Sequence, residues 1–332
     1  MLRPPGPNRR LSVAPMIDWT DRHCRYFHRL IAPRTLLYTE MITTGAILHG
    51  PAERLLAFDP AEHPVVLQLG GSEPDALAAA ARAGEARGYD EIDLNCGCPS
   101  DRVQSGRFGA CLMNEPGLVA ECVAAMREAT RLPVTVKSRI GIDDSEELPF
   151  LLRFVETVAA TGCRTFIVHA RKAWLQGLSP KENREIPPLR WEVVHALKAA
   201  RPDLEIVLNG GVDGTDKALA ALARVDGVMV GRAAYQNPWW LGELEDAVLG
   251  PAGGRRSRED VLREMAAYAA RMAAEGVPLK AVARHLLGLY NGLPGARAFR
   301  RRLSEGMVHR DAPPTLLLEA AALVPEPERR AA

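Results

Sequence analysis

Residues 64–95 read PVVLQLGGSEPDALAAAARAGEARGYDEIDLN and contain the repeating unit of the fold. Two short apolar runs, PVVLQLG (64–70) and EIDLN (91–95), flank an alanine-rich segment whose apolar residues have helical spacing, PDALAAAARAGEARGY (74–89). Apolar strands that alternate with helices are typical of a parallel sheet covered on both faces. This stretch therefore predicts a β-α-β unit.

The same unit recurs along the first 250 residues. Eight apolar runs separated by helical segments fit a closed (β/α)8 TIM barrel of the α/β class better than an open sheet. The runs are 11–17, 35–42, 64–70, 91–95, 133–140, 165–170, 205–210 and 226–231. We predict an N-terminal tail (1–10), a barrel domain (11–250) and a small all-helical C-terminal domain (251–332), because strand patterns stop after the linker-like PAGGRRSRED (251–260).

Charge and composition exclude several classes of protein. The 332-residue chain has a net charge of only +1, although residues 251–332 hold 14 Lys and Arg against 9 Asp and Glu. No apolar run reaches the ~18 residues that a membrane helix needs, and no signal-peptide pattern follows the N-terminus, so we expect a cytoplasmic protein. Because the six cysteines are scattered along the chain, we expect no disulfide framework. Cysteines and histidines with the spacing of zinc ligands are absent from the sequence, so we expect no metal site.

Nearly every predicted strand ends on a polar side chain, a sulfur or a glycine. In such barrels the active site lies at the C-terminal ends of the strands and in the loops that follow them. A structural role explains any one such residue equally well, but seven around one rim favour a functional site. They are Met16, Gln68, Asn95, Lys137, His169, Asn209 and Gly231-Arg232.

The last two predicted strands end in NGGVDG (209–214) and VGRAAYQNP (230–238). The loops after strands 7 and 8 are the usual phosphate site of this fold. Glycines let backbone N–H groups approach a ligand closely, and Arg232 adds a cation. Tight turns are the alternative explanation, but the coincidence of these features predicts phosphate binding.

Two other patterns stay open on the residues alone. In NCGCPS (95–100), the spacing does not decide which of Cys96 and Cys98 is functional and which is a packing residue. In GARAFRRRL (295–303), three arginines lie on one helical face, which indicates either solvated surface or a contact surface for phosphates.

Long segments of the chain resemble the tRNA-dihydrouridine synthases, in particular the subfamily that acts at position 20/20a of the D loop. The resemblance extends from about residue 11 to residue 320. Its motifs are APMIDWTDRHCRYF (14–27), LYTEMITTGA (37–46), LQLGGSEP (67–74), CGCPSDRVQSGRFGACLM (96–113), VKSRIGIDD (136–144), HARKAWLQGLSPKENREIPPL (169–189), LNGGV (208–212), GVMVGRAAYQNP (227–238) and PGARAFRRRLSE (294–305).

The resemblance implies a barrel that holds FMN at its rim and receives electrons from NADPH. Lys137 would stabilise the anionic reduced flavin, although a Schiff-base role for this lysine stays open. The residues that it implies for FMN are Pro15, Met16, Ile17, Gln68, Lys137 and His169, with Asn209, Gly210, Gly211, Gly231 and Arg232 on the phosphate.

The resemblance also assigns the thiols. Hydride would pass from the flavin to C6 of a uridine, while Cys98 protonates C5 as the catalytic acid, a task that suits a thiol with a reference pKa of ~8.5. Asn95 would contact the uracil, and we infer that His169 steadies charge on its O4. Cys96 is then interpreted as a small apolar packing residue.

The implied partner is tRNA, whose target uridine must leave its stack to reach a flavin. Lys181 and Arg184, and Arg297 and Arg300 on the C-terminal helix, are the expected RNA contacts. No obligate protein partner is expected, and we predict a monomer.

Three other functions are compatible with parts of the sequence. A small-molecule flavin dehydrogenase of the dihydroorotate type would share the rim but would not need the basic helical domain. A flavin-free lyase or aldolase would use Lys137 on a phosphorylated sugar. A non-catalytic RNA-binding protein would leave Cys98 and the rim unexplained.

Overall fold

A computed structural model describes residues 6–100, 103, 106–251, 253–254 and 256–330. Its first compact unit comprises residues 6–17 and 36–231. The strands fall on the eight predicted runs, with the second run split in two. They are β1 Leu11–Val13, β2 Leu37–Tyr38, β3 Ile42–Thr43, β4 Val65–Gly70, β5 Glu91–Cys96, β6 Val134–Arg139, β7 Thr165–His169, β8 Glu205–Asn209 and β9 Gly227–Val230.

The strands form a closed parallel ring. They pair in the order β1-β9-β8-β7-β6-β5-β4-β2, and β3 also pairs with β4, so β2 and β3 are two parts of one barrel strand. The ring closes between β1 and the segment before β2, where the amide of Val13 donates to the carbonyl of Leu36 at 2.9 Å and the amide of Leu36 to that of Leu11 at 3.1 Å. The predicted (β/α)8 barrel is confirmed.

Helices connect the strands of this unit. The helix Pro74–Arg87 begins with a proline, whose missing N–H is not needed in a first turn, and ends at Gly88 with φ 96°. The helices of the unit are Thr44–His49, Ala52–Leu55, Pro74–Arg87, Pro116–Ala129, Glu147–Ala159, Trp191–Ala200 and Thr215–Leu222, with short 3-10 turns at Pro60–Glu62, Gly109–Asn114 and Glu182–Arg184.

Charged residues fill the N-terminal end of the barrel. Arg9 is buried and donates through Nε to Glu91 at 2.8 Å and through Nη1 to Glu205 at 2.9 Å. Such a buried cation needs paired acceptors, because an isolated charge is costly inside a protein. Residue 9 therefore belongs to the barrel, although the sequence placed it in an N-terminal tail; residues 1–5 of that tail lie outside the described part of the chain.

The second compact unit is helical and comprises residues 18–35 and 232–330. Tyr26, Phe27 and Ile31 share one buried apolar cluster with residues of the C-terminal helices. For this reason the unit includes residues 18–35 and 232–250, which the sequence pattern placed in the barrel domain. Its helices are Arg22–Ile31, Arg232–Gln236, Pro238–Leu249, Arg258–Ala274, Leu279–Ala283, Ala296–Gly306, Leu316–Ala321 and Glu326–Arg330, with a 3-10 turn at Leu286–Gly288.

Among the described residues, no helix is both long and apolar enough to cross a bilayer. The same residues contain no group of three or more His, Cys, Asp or Glu side chains that could hold a metal ion.

Two buried histidines should make the helical unit sensitive to acid. Burial lowers the pKa of His23 to about 4 and that of His28 to about 3. In the unfolded chain each histidine gains a proton below pH ~6.5. In the folded chain the two imidazoles stay neutral until the pH falls to their lowered pKa values. The free energy of unfolding should therefore fall as the pH drops, by about 2 kcal/mol per histidine at pH ~5.

Urea unfolding followed by circular dichroism at pH 7 and pH 5 measures this loss. His23→Asn, which keeps a polar atom near the Tyr268 hydroxyl that His23 contacts at 2.7 Å, should reduce the pH dependence. His309→Asn, at an exposed position, is the control. An equal pH dependence in the His23 variant and the wild type would contradict the prediction.

Candidate active site at the barrel rim

Polar side chains predicted at the rim lie together at the carboxyl ends of adjacent strands. In the strand register, Asn95 of β5 pairs with Lys137 of β6, and His169 of β7 pairs with Asn209 of β8. Lys137 Nζ donates to Asn209 Oδ1 at 3.1 Å, and the side-chain nitrogen Nδ2 of Asn209 donates to the Met229 carbonyl at 2.8 Å. The fold therefore brings these predicted residues into one site.

The protonation states of two rim residues follow from burial. Burial lowers the pKa of Lys137 to about 8, with the charge of Asp93 opposing the shift, so the amine keeps its positive charge at neutral pH. Burial, followed by the charges of Arg139 and Lys137, holds the pKa of His169 well below its ordinary value. The site therefore offers one cation and one neutral imidazole.

The two thiols of the NCGCPS segment have different surroundings. Cys96 is fully buried in β5, and burial raises its pKa well above the ordinary value. Cys98 follows the strand and is half-buried, with its sulfur 3.5 Å from the Ser100 hydroxyl. Of these two cysteines, Cys98 is the one that is not fully buried.

Side-chain and backbone hydrogen bonds fix the position of Cys98. Asn95 Oδ1 accepts from the amides of Gly97 and Cys98, each at 3.0 Å. The Cys98 carbonyl accepts from the amide of Ala110 at 2.9 Å. Gly109 has φ 79°, and a Cβ there would lie 2.5 Å from the Cys98 carbonyl oxygen, so glycine permits this close approach.

Arg139, at the end of β6, connects the Cys98 segment to a second loop. It is 3 % exposed, and its Nε donates to the Gly97 carbonyl at 3.0 Å. Its Nη1 donates to the carbonyls of Lys172 at 2.9 Å and Asn183 at 2.8 Å. Burial lowers the pKa of Arg139 to about 10, so the side chain stays charged at neutral pH. Arg139 was not selected from the sequence, because its contacts are 33 to 44 residues away.

The loop of residues 172–187, called here the 172–187 loop, is held by internal hydrogen bonds and by hydrogen bonds to residues outside it. The buried Asn183 accepts from the amide of Trp174 at 2.8 Å and donates to its carbonyl at 2.9 Å. Arg171, at the end of β7, donates to the carbonyl of Pro187. The loop therefore has a defined shape.

The predicted RNA contacts Lys181 and Arg184 are both exposed on this loop. Lys181 precedes the turn Glu182–Arg184, and Arg184 is its last residue. The amide of Ser179 donates to the Glu182 carboxylate at 2.8 Å at the start of this turn. The charge of Arg184 also contributes to the lowered pKa of His169. Arg297 and Arg300, the other predicted contacts, lie on the helix Ala296–Gly306 of the second unit.

The glycines after β8 adopt conformations that other residues rarely take. Gly210 and Gly211 have φ 101° and 75°. Among the described residues, no carbonyl accepts a hydrogen bond from either backbone amide. The Gly210 carbonyl accepts from the indole nitrogen of Trp191 at 2.8 Å, which holds the turn in place. Two amides are thus left for an external acceptor at the predicted phosphate site.

The residues after β1 add an apolar side to the rim. Met16 is half-buried and packs against the apolar cluster inside the barrel. Pro15 is half-buried, whereas Ile17 is 55 % exposed. Gly231 ends the barrel unit, with Met16 Sδ 3.8 Å from the place of a Cβ, and Arg232 begins the next helix with an exposed side chain.

The polar interior below the rim was not predicted from the sequence. Gln68 donates to Asp93 at 2.8 Å, and Asp93 accepts from the Thr135 hydroxyl at 2.8 Å. Burial raises the pKa of Asp93, and the hydrogen bond from Gln68 opposes that rise. The signal was present in β5, where polar residues alternate with apolar ones, a pattern that places Glu91, Asp93 and Asn95 on one face.

Comparison with known proteins identifies the family. The sequence profile of the family described as "Dihydrouridine synthase (Dus)" matches residues 12–324. The tRNA-dihydrouridine(20/20a) synthase of Xanthomonas axonopodis pv. citri is 57% identical over 312 residues, which cover 94% of this chain and 92% of that protein. The protein of the same name in Vibrio cholerae is 55% identical over 320 residues, 96% of this chain and 98% of that protein.

Another relative with that name, from Escherichia coli O6:H1, is 54% identical over 319 residues, 96% of each chain. Among solved structures, a complex of 2-naphthoyl-CoA reductase with 2-naphthoyl-CoA superposes with a TM-score of 0.54 at 12% identity, over 71% of this chain and 49% of that one. That likeness concerns the fold alone. On its match to the family profile and its close relatives, this chain belongs to the dihydrouridine synthase family.

Proposed function

We propose that this protein reduces the C5=C6 bond of a uridine at position 20/20a of the tRNA D loop to give 5,6-dihydrouridine, with FMN as cofactor and NADPH as reductant. The observation that carries the proposal is the half-buried thiol of Cys98, held by Asn95 beside Lys137 at the carboxyl edge of a (β/α)8 barrel. Relatives named tRNA-dihydrouridine(20/20a) synthase support the substrate and its position. A tRNA substrate supports our proposal that the protein acts in the cytoplasm.

The rim fits a flavin mononucleotide in three respects. The Gly210 and Gly211 amides have no backbone acceptor in the described chain, and they suit a phosphate. The cationic Lys137 suits the anionic form of a reduced flavin, and Met16 offers apolar contact to a ring. The residues that would hold FMN are Pro15, Met16, Ile17, Gln68, Lys137, His169, Asn209, Gly210, Gly211, Gly231 and Arg232. When bound, a reduced flavin is a source of hydride for C6 of the uracil.

The chain's own residues supply the proton and orient the base. Cys98 holds a proton on Sγ and delivers it to C5 of the uracil. Asn95 uses Oδ1 for two backbone amides and one N–H for Gln68, so its second N–H is left to donate to the uracil. The neutral imidazole of His169 donates to O4, where negative charge develops.

Gly210→Ala should weaken the binding of FMN. A Cβ at Gly210 would lie 2.6 Å from His169 Cδ2, and φ 101° strains any other residue. Strain of ~1–3 kcal/mol corresponds to an affinity about 5- to 150-fold lower. Flavin absorbance per protein and titration of the stripped protein with FMN measure the effect.

Gly214→Ala is the matched control. It lies in the same segment, with extended backbone (φ −157°) and no atom within 4 Å of an added Cβ. If the two variants bind FMN equally well, the assignment of the β8 turn to the phosphate is wrong.

RNA contacts are proposed for Lys181 and Arg184 of the 172–187 loop, and likewise for Arg297 and Arg300 of the helical unit. Arg297 is exposed and Arg300 half-buried, and neither forms an ion pair within the described chain. Cations without a protein partner are available to neutralise RNA phosphates. Recognition through a few local cations agrees with the net charge of only +1.

The double variant Arg297→Ala/Arg300→Ala should raise the KM for tRNA about tenfold or more. The slope of log affinity against log salt concentration should fall by the amount expected for the loss of about two phosphate contacts. The value of kcat at saturating tRNA should stay unchanged, because neither residue contacts the reacting atoms. Binding at several salt concentrations and steady-state kinetics measure both effects. Arg302→Ala is the control, since Arg302 lies on the same helix but pairs with Glu319. An equal effect of the control would show that these two arginines are not specific RNA contacts.

The proposed function is tested by reducing the flavin of the purified protein without oxygen and adding an unmodified tRNA transcript. Free uridine and orotate are added in parallel, and flavin absorbance reports reoxidation. Reoxidation by tRNA alone is expected. Reoxidation by orotate and not by tRNA would favour the small-molecule dehydrogenase, and a protein that binds no flavin would refute the proposal.

A further inference from the structure

A chain of hydrogen bonds runs from the barrel interior to the Cys98 segment. Gln68 Nε2 donates to Asp93 Oδ2 at 2.8 Å, and Asn95 Nδ2 donates to Gln68 Oε1 at 2.9 Å. Asn95 Oδ1 then accepts from the backbone amides of Gly97 and Cys98. We call the side chains of Gln68 and Asn95 in this arrangement the amide chain.

The two ends of the amide chain allow only one orientation of its members. Asp93 Oδ2 accepts from Gln68 Nε2, so Gln68 turns its NH2 group toward Asp93 and its oxygen toward Asn95. Asn95 must then donate to Gln68, which leaves its own oxygen for the backbone. Backbone amides only donate, so the far end requires the same orientation. Reversal of either side-chain amide would set donor against donor or acceptor against acceptor.

The amide chain joins Asp93 to the Cys98 segment by hydrogen bonds. Asp93 is fully buried, and Gln68 and Asn95 are 1 % and 8 % exposed, so water is a poor alternative partner for the three side chains. In a buried network each missing partner costs the full desolvation of the group left unpaired. The other carboxylate oxygen of Asp93 accepts from the Thr135 hydroxyl at 2.8 Å, on the side away from the amide chain.

We propose that Asp93 is a positioning residue for dihydrouridine formation: its carboxylate sets the direction of the amide chain and thereby holds the Cys98 backbone in place. The inference rests on the proposed role of Cys98 as the acid. Asp93 transfers no proton to the substrate and contacts neither RNA nor cofactor.

The test compares three variants of the flavin-loaded protein. Asp93→Leu removes the acceptor at the origin of the amide chain, and Asp93→Asn keeps an acceptor but no longer imposes one direction. Thr135→Val is the matched control, because it removes the partner of the same carboxylate on the other side. The readout is the rate at which iodoacetamide alkylates Cys98, measured by peptide mass spectrometry relative to free glutathione.

Asp93→Leu should raise the alkylation rate about fivefold or more, as expected when one net hydrogen bond no longer holds the segment. Asp93→Asn should give a smaller increase, and Thr135→Val none. The kcat should fall about 10- to 100-fold in Asp93→Leu, because misplacement of a catalytic group costs that much, while the KM for tRNA stays unchanged.

Equal alkylation rates in Thr135→Val and both Asp93 variants would overturn the proposal, as would an equal loss of kcat in Thr135→Val and Asp93→Leu. If Asp93→Leu does not fold, the alkylation rate of Cys98 in Asp93→Asn is compared with that in Thr135→Val. The alkylation rate reports the order of the segment whether or not Cys98 is the acid. Full activity in Cys98→Ala would therefore refute the role of Cys98 as the acid without refuting the structural role of Asp93.

Discussion

Replacing Cys98 by alanine is expected to lower the rate of uridine reduction by about 10²- to 10⁴-fold, the contribution of a positioned general acid. The substitution removes the thiol at the rim and leaves the hydrogen bonds of its backbone to Asn95 and Ala110 possible. Flavin content and the reduction of the flavin by NADPH should not change. A single-turnover experiment, in which tRNA reoxidises the reduced flavin, measures the step directly.

Cys96→Ala is the control for this prediction. Cys96 lies two residues away and is fully buried, so its truncation affects packing and not the rim. We expect normal single-turnover rates together with a small loss of stability. If Cys96→Ala slows reoxidation as much as Cys98→Ala, the assignment of the acid to Cys98 is wrong.

Arg139→Gln is expected to lower kcat/KM for tRNA by about 10²-fold or more, since charged hydrogen bonds contribute ~1.5–3 kcal/mol each and a small misplacement in an active site costs a similar factor. The variant leaves the carbonyls of Gly97, Lys172 and Asn183 without their shared donor. Both the Cys98 segment and the 172–187 loop should lose their fixed positions. Both kcat and the KM for tRNA should change.

Arg171→Gln provides the comparison. Arg171 donates to the carbonyls of Glu185 and Pro187 on the same loop, and no hydrogen bond joins it to Gly97 in the described chain. It should raise the KM for tRNA with little change in kcat or in the alkylation of Cys98. If Arg139→Gln behaves like Arg171→Gln, Arg139 supports only the loop.

The two halves of the site depend on each other through Arg139. The Gly97 peptide is held on both sides, by Asn95 at its N–H and by Arg139 at its carbonyl. The same guanidinium holds the loop that carries Lys181 and Arg184. If RNA binding shifts that loop, the Arg139 side chain would transmit the shift to the segment that carries Cys98. A double-mutant cycle between Arg139 and Lys181 would measure this coupling.

Much of the fold was predictable because strand and helix patterns are local. Eight apolar runs predicted the barrel, although the run 35–42 forms two strands, β2 and β3, and the run 11–17 is a strand only over Leu11–Val13. The unit that contains residues 18–35 was not predictable in this way. The helix Arg22–Ile31 packs its apolar face with residues more than 200 positions away, and no local pattern encodes that partner.

The sequence by itself determined the barrel, the ring of polar residues at its rim, the glycine turns after β8 and the family motifs. Only the tertiary structure separated Cys96 from Cys98, because burial depends on where the strand ends. It also decided the roles of Arg9, Asp93 and Arg139. Their hydrogen-bond partners lie 25 to 196 residues away, and such partners meet only when the ring of strands has closed.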